Sequence, residues 1–195
     1  IYYMYLVTTA LQELWLENAP MWLLTPGCVP KPDSESHHKW DINGIVPDPF
    51  DSAEEITKSY EEIYKIQEQL IKTLTVRLNK LHKSSHSEKY WRVHIGPWCL
   101  SYVTVIYDRH KRLTTATSNM PGITVIGCAS STIIPNVNST DFNQDARDDF
   151  FNAQLYTLLC KKLDIPVVER ALTIDKPNPE RNKYYFSSKT NQFLR

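Results

Sequence analysis

The sequence predicts an α/β fold in which a small, mostly parallel sheet is packed against long helices. Short runs dominated by apolar residues occur at 1–7, 21–24 and 123–127. Two long segments with apolar residues at spacings of three and four lie between the second and third runs. Strands that alternate with helices are typical of parallel sheets, because each parallel pair needs a crossover connection.

The first 24 residues are predicted to form a strand, a short helix and a second strand. Thr9 and Gln12 have the spacing of a capping box, in which each side chain bonds the backbone N–H of the other, so a helix is expected over 10–16. Helix starts that follow parallel strands bind anions through their free N–H groups. Thr8 and Thr9 are therefore candidate substrate-binding residues, with ordinary capping as the alternative.

Residues 25–51 are expected to form a long, irregular surface loop, since the segment is rich in proline and contains few large apolar side chains. Long loops are usually functional or disordered, which makes Asp41 a candidate catalytic base. His37 and His38, with Asp33 and Asp41 nearby, resemble a loose set of metal ligands. They lack a defined ligand spacing, so we predict neither a metal site nor a cofactor.

The clearest helix is predicted from Ser52 to about His82. Ser52 and Glu55 have capping-box spacing, and about 30 residues at 1.5 Å per residue give a length of ~45 Å. One face of this helix carries an apolar stripe, which we expect to be buried. Its members are Ile56, Tyr60, Ile63, Leu70, Leu74 and Leu81.

A second helix is predicted over 90–112, after His86 and Ser87 as caps. Apolar residues fill most of its faces, so we expect a central helix that is covered on most sides. The step at Gly96-Pro97 predicts either one kinked helix, which we favour, or the start of another helix. The charged run 108–112 is expected to mark the point at which the helix leaves the core.

Four charged residues of this region are candidates for chemistry. Arg92 lies among apolar residues and must be paired there, either with an anionic ligand or in an internal salt bridge to Asp108 or Glu88. Arg109 is a candidate substrate-binding residue. His86 and Asp108 are candidates for a catalytic acid or base. The alternative for His86 is a structural role near the helix cap, and the alternative for Asp108 is a solvated position at the helix end.

The remaining chain is predicted to complete one domain over 1–175. A buried strand is expected at 123–127, a helix from Asp141 or Asn143 to about Leu163, and an edge strand at 165–168. Residues 176–195 are polar, and we expect a tail or a linker to a further C-terminal domain.

Composition limits the classes of partner and compartment. The 22 basic and 22 acidic residues cancel, so nucleic acid is not expected as a general partner. The four cysteines are far apart without a Cys-x-x-Cys pair, which favours buried free thiols in a reducing compartment. No apolar run reaches the ~18 residues of a membrane span. We therefore expect a cytoplasmic protein.

Three motifs resemble a known family: YWR at 90–92, IGPW at 95–98 and YDR at 107–109. They are similar to the signature of the leptospiral-type transferases found in O-antigen and surface-carbohydrate gene clusters. The segments at 6–15, 78–82 and 148–163 agree in order with that family. The turn at 25–28 departs from the family pattern, because it lacks the family's acidic and aromatic residues.

The resemblance implies a Rossmann-like layered domain that forms the N-terminal, acceptor-side half of a two-domain glycosyltransferase, inactive alone. The whole protein would transfer a sugar from a nucleotide-sugar donor, bound mainly by the missing half, to a carbohydrate acceptor during surface polysaccharide synthesis. Peripheral association with a membrane through a lipid-linked acceptor is left open. One alternative is a non-catalytic α/β binding or docking module. Another, a stand-alone nucleotide-binding protein, lacks a phosphate loop.

Overall fold

A computed structural model describes residues 4–29, 40–130 and 139–172, and within these ranges the five strands form one sheet. The strands are β1 (Tyr5–Val7), β2 (Met21–Leu23), β3 (Ile42–Ile45), β4 (Thr124–Cys128) and β5 (Val167–Arg170). Their order is β3-β2-β1-β4-β5, and every pair is parallel. This confirms the predicted α/β class with a layered, Rossmann-like arrangement.

Four α-helices accompany the sheet in the described ranges. They are α1 (Ala53–His82), α2 (Glu88–Asn119), α3 (Ser139–Asp145) and α4 (Asp149–Lys162). The single helix predicted from Asp141 or Asn143 to Leu163 is wrong, because Asp148 interrupts it. The Asp148 side chain accepts a hydrogen bond from the Phe151 N–H at 3.0 Å and thereby caps a new helix.

Helices α1 and α2 form a long antiparallel hairpin. The predicted bounds of α1 are confirmed, since the Ser52 hydroxyl accepts from the Glu55 N–H and Lys83 ends the helix with φ of 50°. The predicted buried stripe is wrong. Ile56, Tyr60 and Leu81 are exposed, and the other three members, Ile63, Leu70 and Leu74, are only half-buried. Gln67, which interrupts that stripe, is instead buried and donates to the Gly96 carbonyl at 3.0 Å. The face of α1 that is buried is thus the one against α2.

Helix α2 is continuous through Pro97, so the alternative of a second helix starting there is wrong. The expectation that α2 is covered on most sides is also wrong, because Val93 is 71% exposed and Leu100 and Tyr102 are exposed as well. The charged run 108–112 does not mark an exit from the core. Helix α2 continues to Asn119, and its last turns bury Leu113 completely.

Two departures from prediction concern the first 51 residues. The predicted helix over 10–16 is a single 3-10 turn, Gln12–Leu14, and the predicted capping box is absent because that turn has no side-chain cap. The predicted loop 25–51 contains strand β3. Gly44 suits this strand, because a Cβ at that position would lie 2.8 Å from the ring of Trp22 on the neighbouring strand.

The hydrophobic core lies between the sheet, the last turns of α2 and helix α4. At Gly127 a Cβ would lie 2.6 Å from the Thr157 hydroxyl, so β4 and α4 pack at close range. The four cysteines are buried and free, as predicted. Fully buried side chains of the core include Leu6, Met21, Leu23, Leu24, Leu113, Ile123 and Val125.

Some predictions concern residues outside the described ranges. These are the histidine pair His37 and His38, with Asp33, and the tail or linker at 176–195. None of the helices that the structure describes is both long enough and apolar enough to cross a bilayer.

Candidate functional site

A cavity of about 320 Å³ lies at the carboxyl ends of β1 and β2. The chain runs outward from β1 through β2 to β3, and then adds β4 and β5 on the other side of β1. The strand order therefore reverses beside β1, which is where open α/β sheets bind ligands. The cavity is lined by Thr8, Thr9, Thr25, Gly27, Cys28, Asp108, Arg109, Arg112, Asp149, Asn152 and Tyr156.

Thr9 lines this cavity and lies two residues after the end of β1. Its hydroxyl is buried and has no hydrogen-bond partner among the described residues. The backbone is fixed around it, since the Trp15 indole donates to the Thr9 carbonyl at 3.1 Å and the Ala10 N–H donates to the Asp149 carboxylate at 3.3 Å. A buried hydroxyl without a partner is costly, so a ligand atom that bonds it would be favoured.

Helix α2 contributes a carboxylate held between two guanidinium groups. Arg109 donates to Asp108 Oδ2 at 2.8 Å, and Arg112 donates to Asp108 Oδ1 at 3.0 Å. Asp108 and Arg112 are four residues apart on the helix, a spacing that brings opposite charges together. Both oxygens of Asp108 are thus already engaged by cations.

Arg109 is further fixed by the start of helix α4. Its Nε and Nη2 donate to Asn152 Oδ1 at 3.2 and 3.1 Å, and Nη2 also donates to the Ala146 carbonyl at 3.1 Å. The amide of Asn152 in turn donates to the carbonyls of Ala146 and Asp148. This network holds the Arg109 guanidinium in one place, so a ligand meets a donor that is already oriented.

Arg112 is positioned from the segment that follows β3. Its Nη1 donates to Asp48 Oδ1 at 3.2 Å, and its guanidinium carbon lies 5.2 Å from the centre of the Phe50 ring. That distance is within the range of a cation–π contact. Both arginines of the cavity are therefore held by contacts on two sides.

Two further cavity residues are protonated at neutral pH. Burial raises the pKa of the Tyr156 phenol above its ordinary value of 10.0, and burial likewise raises the pKa of the Cys28 thiol above 9.0. Tyr156 is thus a hydrogen-bond donor in this cavity and Cys28 is not a thiolate nucleophile. Asp108 and Asp149 are the carboxylates of the lining, and the described residues contain no group of three side chains suited to a metal ion.

Four of the residues selected from sequence lie together in this cavity: Thr8, Thr9, Asp108 and Arg109. Three others do not line it. Asp41 is exposed beside β2, where its carbonyl accepts from the Met21 N–H. His86 lies at the hairpin turn, where its ring stacks on Tyr90 at 3.9 Å between centroids.

Arg92 also lies outside the cavity, 17 residues before Arg109 on α2 and thus about 26 Å away along the helix. Its guanidinium donates to both oxygens of Glu68 and, at 2.7 Å, to Glu88. The hydrogen bond from Arg92 lowers the pKa of the Glu68 carboxyl. The internal salt bridge to Glu88, one of the alternatives from sequence, accounts for this arginine without a ligand.

Besides the turn residues Thr25, Gly27 and Cys28, four cavity residues on α2 and α4 were not selected from the sequence: Arg112, Asp149, Asn152 and Tyr156. The spacing of Asp108 and Arg112 was a usable signal for the first. The other three lie on α4, from its first residue, Asp149, to its middle, Tyr156. The sequence contains no pattern that places this helix beside β1.

The chain matches the sequence model described as LIC12162 family transferase over residues 4–195. Searches against curated proteins and against solved structures returned no match.

Proposed function

The chain belongs to the LIC12162 family of transferases, and on that premise we propose that it is the N-terminal, acceptor-side part of a glycosyltransferase. The reaction would move a sugar from a nucleotide-sugar donor to a carbohydrate acceptor in the synthesis of a surface polysaccharide such as an O-antigen. The acceptor would bind in the cavity beside β1. The donor would bind mainly in a further domain.

The observation that carries this proposal is the chemistry of the cavity lining. Two aspartates and two arginines line it, so their formal charges cancel. The other polar groups are hydroxyls, an amide and a phenol, which match the hydroxyl groups of a sugar as donors and acceptors. A nucleotide diphosphate carries several negative charges and would favour a net positive site. A neutral polyol is therefore the better fit.

Asp149 is the residue that we propose as the general base. One of its carboxylate oxygens accepts from the Ala10 N–H, and the other makes no hydrogen bond or ion pair with a described residue. In the proposed step this carboxylate takes the proton of the acceptor hydroxyl. The hydroxyl oxygen then forms a bond to the anomeric carbon, while the bond from that carbon to the donor phosphate breaks and its electron pair leaves with the phosphate.

Saturation-transfer NMR of the 195-residue chain against a panel of oligosaccharides and sugar nucleotides tests the proposal. We expect saturation of oligosaccharide resonances, and its loss in Arg109→Gln. Lys58→Gln on the exposed surface of α1 is the control and should bind as the wild type does. Saturation of sugar nucleotides alone, or saturation that Arg109→Gln leaves intact, would contradict the acceptor assignment.

A non-catalytic binding module is the second candidate, and two observations favour it. Asp108 is fully engaged by guanidinium groups, and the turn at 25–28, which lacks the family's acidic and aromatic residues, lines the cavity. Asp149→Asn separates the two candidates when sugar transfer is assayed in the presence of the donor-binding part. A glycosyltransferase loses transfer but keeps acceptor binding, whereas a binding module shows no transfer to lose.

A further inference from the structure

The hairpin tip, which we define as residues 76–94, differs in charge from the rest of the protein. It contains five basic residues against one acidic residue, so its net charge is +4 in a chain whose total is zero. Arg92 is neutralised by Glu68 and Glu88. The other basic residues, Arg77, Lys80, Lys83 and Lys89, are exposed and form no ion pair with a described residue.

The hairpin tip also exposes aliphatic side chains. Val76, Leu81 and Val93 are 71%, 73% and 71% exposed. Tyr90 is also exposed, and its ring stacks on His86. Aliphatic side chains that stand among lysines and aromatic rings are typical of surfaces that enter the interface of a bilayer.

The position of the tip leaves it accessible to a flat surface. The side-chain hydrogen bonds and ion pairs described for residues 88–100 are made within the hairpin, to α1 or inside α2. Among the described residues, the first side-chain hydrogen bond from α2 to a helix other than α1 is that of Ser101 to Asn143 of α3. The hairpin therefore extends about 20 Å beyond that contact, from Ser101 to Glu88 at 1.5 Å per residue.

From these observations we infer that the hairpin tip docks on the surface of an anionic lipid bilayer. The four basic residues that form no ion pair with a described residue complement the negative headgroups, and the exposed aliphatic residues enter the boundary between headgroups and acyl chains. A nucleic acid would satisfy the positive charge but would leave Val76, Leu81 and Val93 in contact with water. The charge and the apolar exposure together favour the bilayer.

Docking would hold the sheet and its cavity at a fixed height above the membrane. It requires no carbohydrate, so it is independent of the acceptor proposed for the cavity. The two proposals can therefore fail separately.

Flotation of the 195-residue chain with lipid vesicles tests the inference. We expect binding to vesicles that contain phosphatidylglycerol, little binding to phosphatidylcholine alone, and release at high salt because salt screens the headgroup charge. Lys80→Gln with Lys83→Gln should lower the partition coefficient roughly 25-fold, since each basic residue contributes about fivefold. Leu81→Ser with Val93→Ser should lower it as well.

A matched control is available on the same helix. Lys58→Gln with Lys65→Gln removes two exposed lysines from the opposite half of α1 and should leave flotation unchanged. Circular dichroism confirms that each variant is folded. The inference is overturned by equal binding to neutral and anionic vesicles, by no binding, or by equal losses in the two lysine pairs. Binding of a duplex oligonucleotide through the tip, without vesicle binding, would also overturn it.

Discussion

Substitution of Gly127 by alanine should loosen the contact that places helix α4 beside the cavity. A Cβ at this position would lie 2.6 Å from Thr157 Oγ1 and 2.8 Å from a methyl group of Val167. The Thr157 hydroxyl cannot move freely, because it donates to the Ala153 carbonyl at 2.7 Å and accepts from the Cys128 N–H at 2.9 Å. The new methyl group therefore has to displace either the hydroxyl or strand β5.

The expected cost follows from these contacts. Overpacking of a tight core costs ~1–3 kcal/mol, and each hydrogen bond that is lost adds ~0.5–1.5 kcal/mol. We expect Gly127→Ala to lower the free energy of unfolding by about 3 kcal/mol, measured by urea denaturation. Gly27→Ala is the control, since its Cβ would meet an ordinary contact of 3.5 Å, and it should change the free energy by less than about 0.5 kcal/mol.

A double-mutant cycle shows whether the cost arises at this contact. Thr157→Ala removes the two side-chain atoms of Thr157 nearest to the new methyl group, so the loss in Gly127→Ala with Thr157→Ala should be smaller than the sum of the single losses by at least ~1 kcal/mol. Additive losses, or a Gly127→Ala protein as stable as the wild type, would refute the close packing of α4 on β4.

Three further outcomes are expected. Thr9→Val removes a buried hydroxyl that has no hydrogen-bond partner among the described residues. Urea denaturation should show unchanged or slightly higher stability, while titration should show roughly tenfold weaker acceptor binding. Arg92→Leu should lower the melting temperature only slightly and leave acceptor binding intact, because its guanidinium is paired with glutamates away from the cavity. Burial raises the pKa of the Cys128 thiol to about 11 and that of Cys160 to about 12. As the pH rises, these thiols ionise at a lower pH in the unfolded chain than in the folded chain, which stabilises the unfolded state. Urea denaturation should therefore show that the free energy of unfolding falls above pH 9, and this fall should be smaller in Cys160→Ala.

Elements with local signals could be predicted from the sequence. Helix α1 is an example, since Ser52 and the acidic residues Glu54 and Glu55 of the first turn mark its start in the sequence. Strand β3 could not be predicted in the same way, because Asn43-Gly44 is typical of a turn. Its glycine is explained only by the Trp22 ring of a strand about 20 residues away.

The candidate site was predictable only in part, for a physical reason. Thr8 and Thr9 follow a strand, and that position alone predicts proximity to a cavity. Arg92 and Arg109 both lie on α2 with an acidic residue nearby in the sequence, Glu88 and Asp108 respectively, so the sequence offers each an ion-pair partner. Their difference depends on tertiary neighbours: Glu68 of α1 in one case and Asn152 of α4 in the other. No spacing within α2 contains that information.

Amide chemical-shift mapping with a bound oligosaccharide is the most direct measurement of where the acceptor binds. We predict shifts at residues that follow β1 and β2 and at the start of α4, namely Thr8, Thr9, Gly27 and Asn152, with no shift at the hairpin tip. Shifts confined to another surface, or saturating binding without any shift at the ends of β1 and β2, would contradict the assignment of this cavity.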